Sequence, residues 1–193
     1  MRKVAYIIPG YTEYQHGKVY KKIAMLFKSA GIIPIPVWIN WKGRKTMTDY
    51  INQFYERYNI ENRKDDEVYL LGFSFGAFIS FVSAVTLKPK TVILCSLSPY
   101  FSEDIKYLKK SWKMGKNKMS DFKNYKFSKL VKSFHSNVFI LVGSKEGSIV
   151  LKRARTAHKT TKNSKLIIID KAKHNIRQKE YFYAVKLVIE SLA

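Results

Sequence analysis

The sequence contains a single cysteine, Cys95, among its 193 residues, which excludes an intramolecular disulfide. Cys95 lies in an apolar run, and we expect its thiol to be buried. No apolar run approaches the ~20 residues of a membrane-spanning helix. The apolar stretch after the basic N-terminus has the length of a β-strand and is too short for a signal peptide. These absences predict a cytoplasmic protein without a transmembrane segment.

Acidic residues are also scarce: 14 aspartates and glutamates stand against 36 lysines and arginines, giving a net charge of +22. Only seven of the basic residues are arginine, and the 29 lysines are spread along the chain. Such a charge attracts nucleic acid, anionic lipid and anionic substrates whatever its origin. The scarcity of arginine argues against nucleic acid as the partner, and nothing in the composition selects an oligomeric state.

The sequence has no cluster of metal-ligating residues and no glycine-rich phosphate-binding loop, so it predicts neither a metal nor an organic cofactor. It also lacks internal repeats, low-complexity segments and any linker that would divide it. At this length one hydrophobic core suffices. We therefore expect one domain over residues 1–193.

Strand patterns and helix patterns alternate along the chain. Short apolar runs predict strands at 3–8, 32–39, 67–71, 91–97, 137–142 and 165–170, and helical spacing of apolar residues predicts helices at about 17–30, 48–58, 77–85, 148–159 and 176–192. We expect Thr48 to cap the second helix and the basic residues of helix 148–159 to face outward. Pro34 and Pro36 place the second strand near an edge. The alternation predicts a three-layer α/β/α sandwich around a mostly parallel six-stranded sheet.

The segment Gly72-Phe73-Ser74-Phe75-Gly76 fits G-x-S-x-G, the nucleophile elbow, in which a serine sits on a sharp strand-to-helix turn. Glycines are needed two residues before and after such a serine because side chains there would crowd each other. The segment follows a predicted buried strand and precedes an apolar predicted helix. The alternative interpretation is a glycine-bracketed turn between core elements in which Ser74 has no chemical role.

Two further motifs follow the last two predicted strands. Gly143-Ser144-Lys145-Glu146 fits G-x-x-[DE], and Lys173-His174-Asn175-Ile176 carries a loop histidine. The order serine, acid, histidine, with each site at the end of a strand, resembles the α/β-hydrolase superfamily. The resemblance covers essentially the whole chain and implies a minimal form of the fold, with six core strands and without the family's usual two leading strands.

The resemblance implies a role for each residue. Ser74 is the nucleophile, His174 the general base and acid, and Glu146 the carboxylate that orients the imidazole. The backbone N–H groups of Phe75 and Tyr11 form the oxyanion hole, with Thr12 as an alternative to Tyr11. The chain departs from the common pattern in having Pro9 where many members have histidine and Glu146 where aspartate is commoner.

Other residues compete for these roles. Asp170, at the end of the last predicted strand, and Glu103 or Asp104, after the fourth, are alternative acids. His16 follows the predicted oxyanion loop and is a candidate for lining the pocket. His158 is expected on a solvated helix, and His135 at the far end of the sheet.

Residues 98–136 form a lysine-rich insertion between the fourth and fifth predicted strands, where the family places a lid or small cap. Between Lys106 and Lys132 there are ten lysines and one acid. The interleaved aromatic residues are Tyr107, Trp112, Phe122, Tyr125 and Phe127. They predict either a helical excursion that packs on the core, or a lid over Ser74 with an apolar underside. Binding of phosphate backbones, with stacked bases, is a third and weaker interpretation.

The resemblance implies a serine hydrolase that cleaves a carboxylic ester or thioester of a small acyl substrate through an acyl-enzyme on Ser74. The alternative hypothesis is a non-catalytic protein on a hydrolase scaffold that binds anionic partners through its basic surface. Loss of acyl-enzyme chemistry together with salt-sensitive polyanion binding would favour this alternative.

Overall fold

The computed structural model describes all 193 residues. Six strands form one sheet, and every neighbouring pair is parallel. The spatial order is β2-β1-β3-β4-β5-β6, so β2 is an edge strand, as its two prolines predicted. The strands are β1 Lys3–Ile8, β2 Ile33–Pro36, β3 Glu67–Phe73, β4 Thr91–Cys95, β5 Asn137–Gly143 and β6 Ser164–Ile169.

The main helices are α1 Lys18–Ser29, α2 Met47–Glu61, α3 Phe75–Leu87, α6 Ser148–Thr160 and α7 Lys179–Glu190. Two short helices, α4 Lys116–Asp121 and α5 Phe127–Leu130, lie in the insertion together with four 3₁₀ turns, Ile105–Tyr107, Lys110–Trp112, Phe122–Asn124 and Val131–Ser133. None of the helices is long and apolar enough to cross a bilayer.

The two faces of the sheet are buried under different helices. Alternate residues of β1 show this division: Val4 and Tyr6 pack with α2, α3 and α6, whereas Ala5 and Ile7 pack with α1 and α7. Successive side chains of a strand point to opposite faces, so strands buried on both faces are apolar throughout. The predicted three-layer α/β/α architecture is confirmed, and the sheet is entirely parallel.

The starts of helices α2 and α7 differ from the prediction, and strands β2 and β4 end earlier than the predicted residues 39 and 97. Thr46, not Thr48, caps α2: its N–H donates to Asp49 Oδ2 (2.7 Å), and its Oγ1 accepts from the N–H of Asp49 (3.3 Å). Thr48 instead donates to Asp121 through its N–H (2.9 Å) and Oγ1 (2.6 Å), which joins α2 to the insertion. The last helix begins at Lys179 and not at Ile176, because Gln178 is extended (φ −62°, ψ 138°) and its side chain accepts from the N–H of Lys173 (2.9 Å).

The prediction that all basic residues of α6 face outward was also wrong for Arg153. Its side chain is 5% exposed and pairs with Asp104 of the insertion through Nε (2.8 Å) and Nη2 (2.5 Å). The guanidinium also lies over the rings of Phe127 (4.3 Å to the centroid) and Phe101 (5.1 Å). The carboxylate and the aromatic faces compensate the buried guanidinium for lost contacts with water.

Most aromatic residues of the insertion pack on the core beneath it. Phe122 and Phe127 are buried, and Phe127 stacks on Phe81 of α3 with ring centroids 4.9 Å apart. Glu103 holds the turn before α5 by accepting from the N–H groups of Phe127 and Ser128 (2.9 Å each). Burial acts to raise the pKa of Glu103, but these backbone hydrogen bonds outweigh it and lower the pKa to about 2.

Candidate active site

Ser74 lies in the turn between β3 and α3 with φ of 55° and ψ of −114°, a conformation that L-residues rarely adopt. Such strain costs on the order of 1–3 kcal/mol and persists only where surrounding structure enforces it. Here the N–H of Ser74 donates to the carbonyl of Cys95 in the neighbouring strand (2.8 Å). The turn leaves the hydroxyl at the carboxyl end of the sheet and ahead of the first N–H groups of α3.

The two elbow glycines are needed for different reasons. A Cβ on Gly72 would lie 2.1 Å from the carbonyl oxygen of Gly76, which is the crowding expected from the motif. A Cβ on Gly76 would lie 2.1 Å from the oxygen of Ile8 and 2.6 Å from that of Pro9, at the end of β1. Gly76 therefore allows the elbow to approach the loop after β1, a contact between distant segments that the motif did not predict.

We expect Gly76→Ala to lower the free energy of unfolding by about 3 kcal/mol, because backbone atoms of Ile8 and Pro9 must move to admit the methyl group. Gly115→Ala is the matched control, since its Cβ would have no neighbour within 4 Å. Urea denaturation of both variants measures the difference. Equal stability of the two would contradict the packing argument.

The structure brings Ser74, His174 and Glu146 together, although they lie on three separate loops. His174 Nε2 lies 3.0 Å from Ser74 Oγ, and His174 Nδ1 lies 2.7 Å from Glu146 Oε2. The carboxylate of Glu146 is fully buried, whereas the imidazole is 44% exposed. This is the geometry in which a carboxylate fixes one nitrogen of an imidazole and the other nitrogen faces a hydroxyl.

The second oxygen of Glu146 is held by groups that the sequence analysis did not identify. Oε1 accepts from the N–H of Gly143 (2.6 Å) and from the hydroxyl of Ser96 (2.7 Å). Ser96 Oγ lies 2.6 Å from the hydroxyl of Tyr181, which donates to the carbonyl of Leu141 (3.0 Å). Burial raises the pKa of Tyr181 well above its ordinary value, so the phenol keeps its proton. Together these donors compensate the buried carboxylate for lost water.

We expect Tyr181→Phe to lower the free energy of unfolding by about 1–2 kcal/mol, because the one proton of the Tyr181 hydroxyl, which lies between Ser96 Oγ and the Leu141 carbonyl, is lost from this buried network. Tyr183→Phe provides a matched control on the same helix, since Tyr183 is 57% exposed and its hydroxyl is not needed by buried groups. Chemical denaturation of the pair measures the difference. A loss no greater than that of Tyr183→Phe would show that the buried hydroxyl is dispensable.

The histidine loop is attached to its surroundings on both sides. The ring of His174 packs on that of Phe73, with centroids 5.0 Å apart. Gln178 accepts from the N–H of Lys173 (2.9 Å), and Arg177 pairs with Glu13 (3.1 Å) in the loop after β1. These contacts orient the imidazole before any substrate binds.

The backbone N–H groups of Phe75, Tyr11 and Thr12 have no acceptor in the protein. Phe75 is the first residue of α3, so its N–H has no intrahelical partner, and the N–H of Tyr11 donates to no protein atom. The Tyr11 ring packs against that of Phe75 with centroids 5.2 Å apart. The N–H of Thr12, which has φ of 62°, is likewise free, so Thr12 stays an alternative to Tyr11.

Glu13 stabilises the loop that follows β1. Its side chain accepts from the N–H of Gly10 (3.3 Å) and from the hydroxyl of Tyr20, and its carbonyl accepts from Trp41 Nε1 (3.1 Å). Tyr20 also contacts the N–H of Gly10 (3.1 Å). A buried tyrosine and a glutamate thus fix the loop that follows Pro9.

Ser74 and His174 lie on a cleft of about 830 Å³, within the range of about 300–1,000 Å³ typical of small-ligand sites. Three lysines, Lys113, Lys145 and Lys173, line it as well. Its apolar wall is formed by Tyr11, Phe75, Tyr100, Trp112, Met114 and Val150. Trp112 and Met114 belong to the insertion, so this segment forms part of the cleft in addition to packing on the core.

The competing residues lie elsewhere. Asp170 is exposed outside the cleft, Glu103 holds the start of α5, and Asp104 pairs with Arg153. His16 lines a different groove with Trp38 and Ile60. His158 contacts Ser164 (3.0 Å), and His135 is exposed.

Cys95 is fully buried, as predicted, and burial raises the pKa of its thiol well above the ordinary value. No group of three or more histidine, cysteine, aspartate or glutamate side chains is arranged to hold a metal ion.

Solved structures share this fold at low sequence identity. Est1E from Butyrivibrio proteoclasticus, solved with ferulic acid bound, superposes with a TM-score of 0.80 and 15% identity, over 98% of this chain and 86% of Est1E. Alpha/beta hydrolase domain-containing protein 10 from mouse gives 0.72 and 14%, over 98% and 88% of the two chains. An alpha-beta serine hydrolase homologue from Coxiella burnetii gives 0.68 and 17%, over 100% and 88%.

No protein-family model matches the sequence, and no curated protein matches it. The likeness is therefore one of fold: the chain has the α/β-hydrolase fold, as the sequence predicted.

Proposed function

We propose that this protein is a serine hydrolase that cleaves a carboxylic ester or thioester through an acyl-enzyme on Ser74. The observation that carries the proposal is the continuous contact from Ser74 Oγ through His174 to the buried Glu146, at 3.0 and 2.7 Å. A serine hydroxyl is a weak nucleophile on its own and needs a base in this position. The α/β-hydrolase fold and its esterase neighbours support the same class of reaction.

In the acylation step Ser74 Oγ attacks the carbonyl carbon of the substrate while His174 Nε2 takes the hydroxyl proton. The carbonyl oxygen becomes an oxyanion that accepts from the backbone N–H groups of Phe75 and Tyr11. When the tetrahedral intermediate collapses, the bond to the leaving group breaks. The proton on Nε2 passes to the leaving alcohol or thiol, and the acyl group stays on Ser74.

In the deacylation step a water molecule occupies the place of the leaving group, and His174 Nε2 takes one of its protons. The hydroxide attacks the acyl carbon, the same two N–H groups stabilise the oxyanion, and the bond to Ser74 Oγ breaks. The proton returns from Nε2 to Ser74, and the carboxylic acid leaves. Glu146 keeps the proton of the neutral imidazole on Nδ1 and stabilises the imidazolium in both steps.

The lining of the cleft supports a small acyl or aryl substrate. Phe75, Tyr100 and Trp112 offer aromatic faces beside Ser74, and apolar walls with a few convergent polar groups are typical of small-molecule sites. Est1E, which has the same fold, was solved with ferulic acid bound. A carboxylesterase is therefore the first activity to assay, and a thioesterase the second.

The alternative of a non-catalytic protein that binds anionic partners draws only on the net charge of +22. Nothing in the geometry of the cleft favours it over hydrolysis, because a buried, fully hydrogen-bonded carboxylate aimed at an imidazole serves no evident purpose in surface binding. A cytoplasmic location and the absence of a nucleic-acid partner stay predictions from the sequence.

Stopped-flow hydrolysis of p-nitrophenyl acetate tests the proposal. We expect a burst of p-nitrophenol equal to the enzyme concentration, because an activated ester acylates Ser74 faster than water releases the acetate, so the acetyl-enzyme accumulates. Mass spectrometry of the acid-quenched protein should find the acetyl group on the peptide that contains Ser74. Absence of turnover and of the adduct in folded protein would overturn the mechanism, and salt-dependent polyanion binding would then support the alternative.

A further inference from the structure

A second depression, here called the basic groove, lies beside the cleft. Its volume is about 370 Å³. It is formed by two segments that are distant in the sequence, residues 43–45 after β2 and residues 115–118 in the insertion. Its lining residues are Gly43, Arg44, Lys45, Gly115, Lys116, Asn117 and Lys118.

The basic groove holds four cations and no carboxylate. Arg44, Lys45, Lys116 and Lys118 take part in none of the protein's salt bridges. Asp49 lies in an adjoining groove, where it accepts from the N–H and hydroxyl of Thr46 (2.7 and 2.9 Å) and interacts with the charge of Lys45. Four cations around one concavity outnumber this single neighbouring carboxylate and repel one another, and an anion with several charges relieves that repulsion.

The basic groove and the cleft are lined by consecutive residues of the insertion. Residues 111–114 line the cleft, and residues 115–118 line the groove. The Cα atoms of Met114 in the cleft and Lys116 in the groove are two residues apart and so lie within about 7 Å of each other. Lys118 also reaches Tyr11 in the cleft wall: its Nζ lies 3.3 Å from the Tyr11 hydroxyl and 4.8 Å from the ring centroid. One elongated ligand can therefore occupy both.

We propose that the basic groove binds phosphate groups on the leaving group of the substrate, so that the enzyme acts on acyl esters or thioesters whose alcohol or thiol part is phosphorylated. This inference rests on the proposed function. Arginine and lysine together suit phosphate, because the planar guanidinium donates two parallel hydrogen bonds and the ammonium adds a point charge. The acyl group then lies in the apolar cleft, and the phosphorylated alcohol or thiol part lies in the basic groove.

The test compares acetyl-coenzyme A with S-acetylpantetheine, which presents the same thioester without phosphates. The groove variant combines Arg44→Gln, Lys45→Gln and Lys116→Gln, and leaves Lys118 in contact with Tyr11. The charge-matched control combines Lys21→Gln, Lys132→Gln and Lys162→Gln, three exposed lysines outside both sites. We expect the groove variant to lower kcat/KM for acetyl-coenzyme A by about 10-fold to 100-fold more than for S-acetylpantetheine.

The control variant should lower kcat/KM for acetyl-coenzyme A no more than for S-acetylpantetheine, because it alters the net charge by the same amount without changing the groove. Equal losses in the two variants would overturn the inference and attribute the effect to the overall charge. A wild-type enzyme that hydrolyses S-acetylpantetheine as efficiently as acetyl-coenzyme A would overturn it too. Turnover of p-nitrophenyl acetate, which has no phosphate, reports separately on the proposed function.

A binding measurement tests the groove independently of hydrolysis. Calorimetric titration of free coenzyme A into Ser74→Ala should give an affinity that falls with added salt. The same titration into Ser74→Ala with the groove substitutions should show that affinity reduced by about 10-fold or more. Unchanged affinity there would overturn the assignment of the groove, whatever the outcome of the hydrolysis assays.

Discussion

Replacement of Ser74 by alanine is expected to lower kcat for p-nitrophenyl acetate by about 10⁴-fold or more, because it removes the nucleophile and leaves only binding and the oxyanion donors. The fold should survive. Alanine meets the same positive φ as serine, and the lost hydroxyl contacts only His174 (3.0 Å) and Ser98 (3.3 Å). We expect the free energy of unfolding to change by less than about 1 kcal/mol.

A fluorophosphonate probe measures the same loss directly, because it labels only serines activated by a base. Wild type should be labelled, whereas Ser74→Ala and His174→Ala should not. Ser98→Ala is the matched control. The hydroxyl of Ser98 lies in the same cleft, 3.3 Å from Ser74 Oγ, but the imidazole nitrogen contacts Ser74. Labelling that disappears in Ser98→Ala and persists in Ser74→Ala would show that Ser98, and not Ser74, is the nucleophile.

Replacement of Glu146 by glutamine should lower kcat by about 10³–10⁴-fold. The amide oxygen will take the place of Oε1, because that site accepts from the N–H of Gly143 and from Ser96. The amide NH₂ then faces His174 Nδ1 and donates to it. The imidazole must therefore carry its proton on Nε2, where it cannot accept the proton of Ser74.

Two measurements separate this tautomer effect from a structural one. The Glu146→Gln/His174→Ala double variant should be no slower than His174→Ala alone, because Glu146 acts through His174. Glu180→Gln, an exposed glutamate at the start of α7, should keep wild-type kcat. Full additivity of the two losses in the double variant would contradict the role of Glu146 as an orienting residue.

The sheet and its edge strand were predictable because their signals are local. Apolar runs of strand length alternate with helical spacing, and two prolines in one short strand are compatible with an edge position alone. The three residues that meet at the candidate site were also accessible from the sequence, since each follows a strand of a parallel sheet and such ends share one edge. Ser96 directly follows β4, which ends at Cys95, but the strand was predicted to run to residue 97, so the same argument did not include Ser96.

The cap of α2 shows where local signals compete. Thr46 and Thr48 are both acceptable caps, and the choice depends on Asp49, which completes a capping box with Thr46, and on Asp121, which engages Thr48 from 73 residues away. Only the first of these partners is near in the sequence. Arg153 is similar: its burial depends on Asp104 and on the aromatic faces of the insertion.

The sequence by itself determined the alternation of strands and helices, the elbow at Ser74 and the loops that carry Glu146 and His174, because hydrophobic period and turn chemistry act between near neighbours. Tertiary structure alone decided that Tyr181 and Ser96 support Glu146 and that Gly76 has no room for a side chain beside the end of β1. It also decided that residues 43–45 and 115–118 form one basic groove. The physical reason is distance: hydrogen bonds, close packing and charge repulsion act over a few ångströms. Only folding brings segments so far apart in the chain within that range.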